Sequence, residues 1–433
     1  MLEKDNKKLI NAWASFDWAN SVYNLIITTA IFPIYFLGTT EAYFGSESVA
    51  FFGIKVSNSV LYSYAISFSF LIIVLISPIL SGIADCSGRK KVFMKLFTYL
   101  GSFACMGLYF FTGENVEYGI ICAILGSIGF SGSLVFYNSF LPEVASIDKM
   151  DSVSAKGFSM GYIGSVILLI VNLVLFQNYK AFGFESGLLA TRFGFILVGV
   201  WWLGFAQIAL FYLNDKKETK SITKEILEKG IEQIKGVMRT VIRMEHMNYY
   251  LVSFFIFSIG VQTVMLLAPL FANKVIGMEA DEMILIVLII QIIAIGGSCF
   301  FAWISKIQGN GFSISLALII WTGICIIGYF LKDKNSFYIM AVFLGFVMGG
   351  IQSISRSTYS KLIPNDTKDS ASFFSFYDIT EKLGIVIGTL LYGLIDQLTG
   401  NMRYSMLFMT VFFVIGFFVL NKAKLKNYKS DNI

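Results

Sequence analysis

The chain has 433 residues, of which 56% are hydrophobic and only 14% charged, with 43 Phe, 5 Pro and a formal net charge of +5. Its mean hydropathy is +0.72. Apolar material in this amount, spread this evenly, excludes a water-soluble fold, and it excludes a β-barrel, whose strands would be shorter and alternate in polarity.

A spanning helix takes about 20 apolar residues. Twelve such runs occur, centred near residues 25, 69, 102, 129, 167, 202, 260, 292, 321, 348, 384 and 411, with short polar segments between them. They predict an all-α membrane protein of twelve transmembrane helices. The first run follows Lys4, Lys7 and Lys8 but contains Asp17, Asn20 and Asn24, continues to Leu37, and shows no small-residue cleavage site. It therefore reads as a retained helix, not a leader. Asp17, Asn20 and Asn24 are spaced by three and four and share one helix face.

Between the second and third helices stands Ser81-Gly-Ile-Ala-Asp-Cys-Ser-Gly-Arg-Lys-Lys91. Gly88 suits a tight turn. Asp85 stands at a helix end, where it can accept hydrogen bonds from a neighbouring helix N-terminus. The fourth helix ends at Tyr137 and Asn138, before Phe140-Leu-Pro-Glu143. In the segment from Asn214 to Glu245, Leu227, Ile231, Ile234, Met238 and Val241 recur at helical spacing among Lys and Arg. This predicts an amphipathic bridge lying on the membrane surface.

The tenth helix carries Gln352 and Arg356. The eleventh places Asp378 four residues before Lys382, the favourable order for an acid–base pair, with Glu381 directed elsewhere. The five Cys form no CxxC pair and read as small apolar residues, so neither a disulfide nor a metal site is expected. The single His246 stands at a helix boundary.

Lys and Arg set orientation. With the N-terminus inside, 24 of the 33 fall in inner segments and 7 in outer loops, and Arg356 and Lys382 lie within helices. Both termini are then cytoplasmic, and the Lys-rich tail (Lys422, Lys424, Lys426, Lys429) agrees. The net charge is thus mostly topology, and nucleic acid is not an expected partner.

The halves read as copies. Pro33 and Pro269 occupy matching helix ends, Leu141-Pro-Glu143 matches Ile363-Pro-Asn365, and Asp151-Ser152 matches Asp369-Ser370. The expected organisation is a six-helix bundle over 1–213, a linker over 214–246 and a second bundle over 247–433. Secondary transporters are often built from such repeats, with a mid-membrane site where the halves meet.

An ionised group inside a span costs about 2.5–3.5 kcal/mol on insertion scales and marks a pathway by default. Asp17 is a candidate for proton coupling or for binding a substrate amine, against a structural hydrogen bond. Asp378 and Lys382 read either as a self-neutralising pair or as a substrate clamp, and Glu381 as a protonatable site. Arg356 either snorkels to the interface, the commoner fate, or holds a substrate carboxylate. Asn20, Asn24, Asn138 and Gln352 are candidate cavity liners.

The loop from Ser81 to Lys91 resembles the signature loop of the major facilitator superfamily, with Ser81 and Cys86 in place of its first Gly and its basic residue. The resemblance implies that Asp85, with Gly88 and Arg89, forms a gating loop that caps the eleventh helix. The matching second-half loop, Ile304-Ser-Lys-Ile-Gln-Gly309, is eroded, and its latch is expected to be lost. The runs Asp17-Trp-Ala-Asn-Ser21 and Gly349-Gly-Ile-Gln-Ser-Ile-Ser-Arg-Ser357 resemble the vacuole effluxer-like branch, which includes the autophagy-related fungal effluxers. That resemblance implies two six-helix bundles and solute export.

The expectation is a monomeric secondary transporter in the lipid bilayer of a bacterial inner membrane. It would use no cofactor and move a small polar or zwitterionic solute such as an amino acid, with protons as coupling ion. Lipophilic drug efflux and a non-transporting sensor are the alternatives. There is no GxSxG, HExxH or Walker motif to suggest an enzyme or an ATP-driven pump.

Overall fold

The computed structural model describes residues 3–215, 219–221, 223–365 and 367–425; Lys426 and Lys429 of the tail lie outside them. The first span has three parts: α1 (Lys7–Val22), a π-helical stretch (Tyr23–Ala30) and α2 (Phe32–Phe44). The chain bends by 40° between the last two. Pro33, with no N–H to donate, stands at the start of α2. A π turn widens the helix, and here it does so where Asn24 faces a central cavity.

A short antiparallel hairpin, β1 (Ser48–Phe51) and β2 (Ile54–Ser57), leads to α3 (Asn58–Ser87), α4 (Lys90–Gly107), α5 (Val116–Ser139) and the single turn α6 (Leu141–Val144). The first half ends with α7 (Met150–Gln177) and α8 (Gly187–Tyr212). Then come the linker helix α9 (Lys224–Arg243), α10 (Glu245–Ile276), α11 (Ala280–Gln308), α12 (Asn310–Phe330), α13 (Lys334–Leu362), α14 (Ser370–Thr399) and α15 (Met402–Lys422).

Among the described residues, ten helices are long and apolar enough to cross a membrane, and the bent first span makes eleven. The twelfth is α14, with 30 residues; Asp378, Glu381 and Lys382 interrupt its apolar run. The architecture is the all-α major facilitator fold. Polar caps start the helices where the sequence offers them: Asn6 accepts from Lys8 N at 2.9 Å, and Asp333 accepts from Ser336 N at 2.9 Å.

Each half has its own apolar core. One gathers around Trp13, Phe32, Phe136 and Trp202, the other around Phe254, Trp321, Tyr359 and Phe413. Between the halves, α7 packs on α11 and α13, and α14 packs on α3 and α5. Pro33 and Pro269 do not act alike: the first begins a new helix after a bend, whereas the second lies inside an unbroken α10.

The linker helix departs from its expected place. It lies against α3 and does not rest only on the membrane surface. The contact is close because Gly82 and Gly230 face each other: a Cβ on Gly82 would stand 2.2 Å from the Gly230 carbonyl oxygen. Ile226, Val237 and Val241 are buried, while Leu227, Ile231 and Met238 of the expected apolar face stay exposed. Val241 and half-buried Ile234 belong to that same face, so the protein covers the expected face in part.

Candidate functional site

The charged residues of the spans meet between the halves. Asp17 on α1 and Arg356 on α13 are 339 positions apart and form an ion pair with Nη1 to Oδ2 at 2.9 Å. Tyr137 OH donates to the same Oδ2 at 2.8 Å, and the Trp13 indole N–H fixes the Tyr137 carbonyl at 3.1 Å. Arg356 also donates to Ser154 Oγ and to the Ser154 carbonyl, both at 2.9 Å, and to Asn138 Oδ1 at 3.4 Å. The rings of Phe158, Trp13 and Tyr137 lie 4.1, 4.8 and 5.6 Å from its guanidinium carbon.

Arg356 therefore does not snorkel. It is 2% exposed, because a carboxylate of the opposite half and three rings replace the water it would otherwise seek. Gly157 makes room for the pair. A Cβ there would stand 2.4 Å from Asp17 Oδ2 and 2.8 Å from Arg356 Nη2.

A second group of charges sits on α14. Lys382 Nζ lies 3.2 Å from Glu381 Oε2 and 3.6 Å from Asp378 Oδ1. Gln262 Nε2 donates to Glu381 Oε1 at 2.8 Å. The expectation that Glu381 points away without a local partner fails. The backbone positions do diverge, but both side chains are long enough to meet.

These residues surround one cavity of about 180 Å³. Asp17, Asn20, Asn24, Asn138, Gln352, Arg356, Glu381 and Lys382 all line it. Asp378 is not among the lining residues; it is buried beside Lys382. Gln352 accepts from Tyr162 OH at 2.7 Å. Gln262 on α10 and Gln291 on α11 also line the wall and were missed from the sequence. Their signal was available, since each is a lone amide inside an apolar run.

At the end of the cavity where α1 begins and α15 ends, the halves are tied together. Asp85 caps α14: its Oδ2 accepts from Ser372 N and Ser372 Oγ, both at 2.7 Å, and its Oδ1 from Ala371 N at 3.3 Å. Gly88, at φ +70°, ends α3 in the left-handed region. The neighbouring cation that crosses to the other half is Lys90, with Nζ 2.8 Å from Ser370 Oγ and 2.5 Å from Glu143 Oε1. Arg89 stands just before α4 as its N-cap residue and donates its backbone N–H to the Ala84 carbonyl.

The second-half loop has not lost its latch. The carboxylate has moved to the partner helix. Asp151, in the first turn of α7, accepts from Ser305 Oγ at 2.8 Å, Asn310 Nδ2 at 2.9 Å and Lys361 Nζ at 2.6 Å. The linker helix joins the first latch. Gln233 of α9 accepts from Cys86 Sγ at 2.5 Å and donates to Asp369, the residue before α14.

Known proteins resemble the chain over nearly its whole length. An uncharacterised MFS-type transporter of Bacillus subtilis (strain 168), YxiO, is 28% identical over 95% of this chain and 93% of its own. Autophagy-related protein 22 of Kluyveromyces lactis is 24% identical over 87% of this chain and 82% of its own. The solved major facilitator transporter FucP, in an outward conformation, superposes with a TM-score of 0.69 at 13% identity, covering 96% of this chain and 98% of that one. A bacterial homologue of the iron transporter ferroportin in an outward-facing state gives 0.68 at 12% identity over 96% and 98%. At these identities both show the shared fold.

The expected bacterial inner membrane does not stand. The chain is similar to yeast autophagy-related proteins as well as to a Bacillus transporter, so the comparisons single out no one membrane. A membrane protein with multiple spans is what remains of that expectation. Two latched helical halves, charges buried between them and a match to the family described as Vacuole effluxer Atg22 like over residues 5–432 lead to one conclusion: the chain belongs to that family, as a transporter with the major facilitator fold.

Proposed function

We propose that the chain is a secondary active exporter of a small zwitterionic solute such as an amino acid, working as a monomer by alternating access and coupled to protons. One observation carries this reading: the Asp17–Arg356 pair joins the two halves at the wall of the cavity. A zwitterion can replace each partner in turn. Its carboxylate suits the planar guanidinium fork of Arg356, and its ammonium suits Asp17. Both buried charges then stay compensated while the direct tie between the halves is released. A neutral or singly charged solute would leave one of them bare, which costs several kcal/mol.

The lining speaks against lipophilic drugs. Six amides and four charged side chains reach a wall that also carries five Phe, and burying a lipophilic solute there would leave those polar groups unserved. The volume of about 180 Å³ also falls below the roughly 300–1,000 Å³ of drug-sized pockets. The test is flux of labelled amino acids in proteoliposomes, with and without a pH gradient. Uptake or counterflow of at least one amino acid is expected, and Asp17→Asn is expected to abolish it while the protein still inserts. Full gradient-driven flux through that variant would remove Asp17 from the mechanism, and flux of lipophilic dyes alone would refute the zwitterion.

A further inference from the structure

Three carboxylates and two cations lie within the spans around the cavity: Asp17, Asp378 and Glu381 against Arg356 and Lys382. Asp17 and Arg356 neutralise each other, and both are hydrogen-bonded on several sides. One acid is therefore in excess, and it lies on α14. There Lys382 makes its hydrogen bond to Glu381, at 3.2 Å, and Glu381 has a second donor in Gln262. Asp378 keeps only the longer contact to Lys382, at 3.6 Å on Oδ1. Among the described residues no group donates to its Oδ2, although Asp378 is 4% exposed. A buried carboxylate with one unserved oxygen is the group that gains most from taking up a proton.

We propose that Asp378 is the proton-binding site of the transport cycle. This rests on the proton-linked reading above. A proton from water in the cavity adds to Oδ2 and turns the carboxylate into a carboxylic acid. Lys382 then belongs to Glu381 alone, and the group of three becomes neutral. Loss of the proton to the other side of the membrane restores a net charge of −1. Tyr377, Glu381 and Lys382 flank Asp378 and line the cavity, which brings the proton to its neighbourhood. The same unbroken helix has its first turn held by Asp85, so a change of charge two turns further along acts on a helix that takes part in the latch.

The surroundings on the packed helices are weakly charged. Phe70 of α3 lies over Lys382 at 5.6 Å, and α10 presents Gln262 and Tyr250. Arg356 of α13 is engaged by Asp17. Other ionisable groups of the packed helices stand at helix ends or at other contacts: Tyr62, Tyr64, Asp85 and Cys86 on α3, Glu117, Tyr118, Cys122 and Tyr137 on α5, Glu245, His246, Tyr249 and Lys274 on α10, and Arg403, Tyr404 and Lys422 on α15, while the charges of α9 belong to the linker beside the first turn of α14.

Infrared difference spectra of the reconstituted protein, recorded while the pH is lowered, test the assignment without any solute. A carboxylic-acid C=O band is expected to grow in the parent, to be lost in Asp378→Asn, and to persist in Asp17→Asn and Glu381→Gln. Asp378→Glu retains a carboxyl and is expected to restore a band at a shifted position, which decides the matter should Asp378→Asn fail to fold. A band unchanged in both position variants, or lost in Glu381→Gln or Asp17→Asn, overturns the proposal. Amino-acid counterflow separates the two readings: its absence in the parent would refute the solute and leave the band in place. Flux through Asp378→Asn that still follows the pH gradient would refute this site alone.

Discussion

Asp17→Asn is the most informative single change, because it keeps shape and removes charge. The parent pair is buried, with side-chain exposures of 3% for Arg356 and 5% for Asp17. Removing one partner of such a pair costs about 3–5 kcal/mol, since the other charge is left in the interior uncompensated. Three features place this case at the low end, near ~3 kcal/mol. The Asn oxygen can still accept from Arg356 or from Tyr137. The two bonds to Ser154 remain. The rings over the guanidinium continue to attract it. The companion change Arg356→Gln leaves Asp17 with Tyr137 as its remaining donor, so it should cost as much or more. The double variant buries no net charge and should cost less than the sum, with a coupling energy of roughly 1–3 kcal/mol. Thermal unfolding of the four proteins in one detergent, followed by size-exclusion profile, gives the comparison. Single variants within about 0.5 kcal/mol of the parent, as for surface changes, or a double variant that is simply additive, would refute the pair as the tie between the halves.

The same site can be disturbed without touching charge. Gly157→Ala places a methyl 2.4 Å from Asp17 Oδ2, so it should cost about 1–3 kcal/mol as overpacking and reduce solute flux at unchanged expression; parent-like flux would show that the pair tolerates displacement. Gly230→Ala sets a Cβ 2.8 Å from the Ile83 backbone N, which has no flexible end to yield. It should lift α9 from α3 and raise maleimide labelling of half-buried Cys86 in a Cys299→Ser background; an unchanged labelling rate would place the helix contact elsewhere.

Some of this is legible in the amino-acid order and some is not. The spans are, because about 20 apolar residues in a row have few other fates, and the loop around Asp85 and Gly88 carries its turn and its cap in one short stretch. The partner of Arg356 is not, because no local pattern links positions 17 and 356; only the docking of α1 and α7 against α13 brings them together. Snorkelling fails as an expectation for that reason. It supposes a lipid-facing side chain, and which side of a helix faces lipid is set by its neighbours. The second latch shows another limit. The repeat of Asp151-Ser152 and Asp369-Ser370 is visible in the sequence, but the two copies act differently: Asp151 binds the opposite half through its carboxylate, whereas α14 receives the carboxylate of Asp85 on the backbone N–H groups of Ala371 and Ser372. A repeat preserves where backbone lies, and it leaves open which side of a contact supplies the charge.

Both latch carboxylates, Asp85 and Asp151, belong to the first half, and each collects three hydrogen bonds from donors in the second. Hydrogen bonds to charged groups are worth about 1.5–3 kcal/mol each. Reversing a two-state equilibrium from 1:99 to 99:1 takes about 5.5 kcal/mol. Even discounted for non-additivity, the two latches together match or exceed that amount, so exchanging one ion pair in the cavity for a bound zwitterion does not open this face unaided. Closure of the opposite face, or the change of charge on α14, must supply the rest. The double variant Asp85→Ala, Asp151→Ala separates these terms. If the latches hold the resting state, it should expose Cys86, which shares Gln233 with the residue before α14, to impermeant maleimide without solute and at any pH, in a Cys299→Ser background. If labelling of the variant still requires a lowered pH, the latches are secondary and the protonated cavity sets the position of the halves.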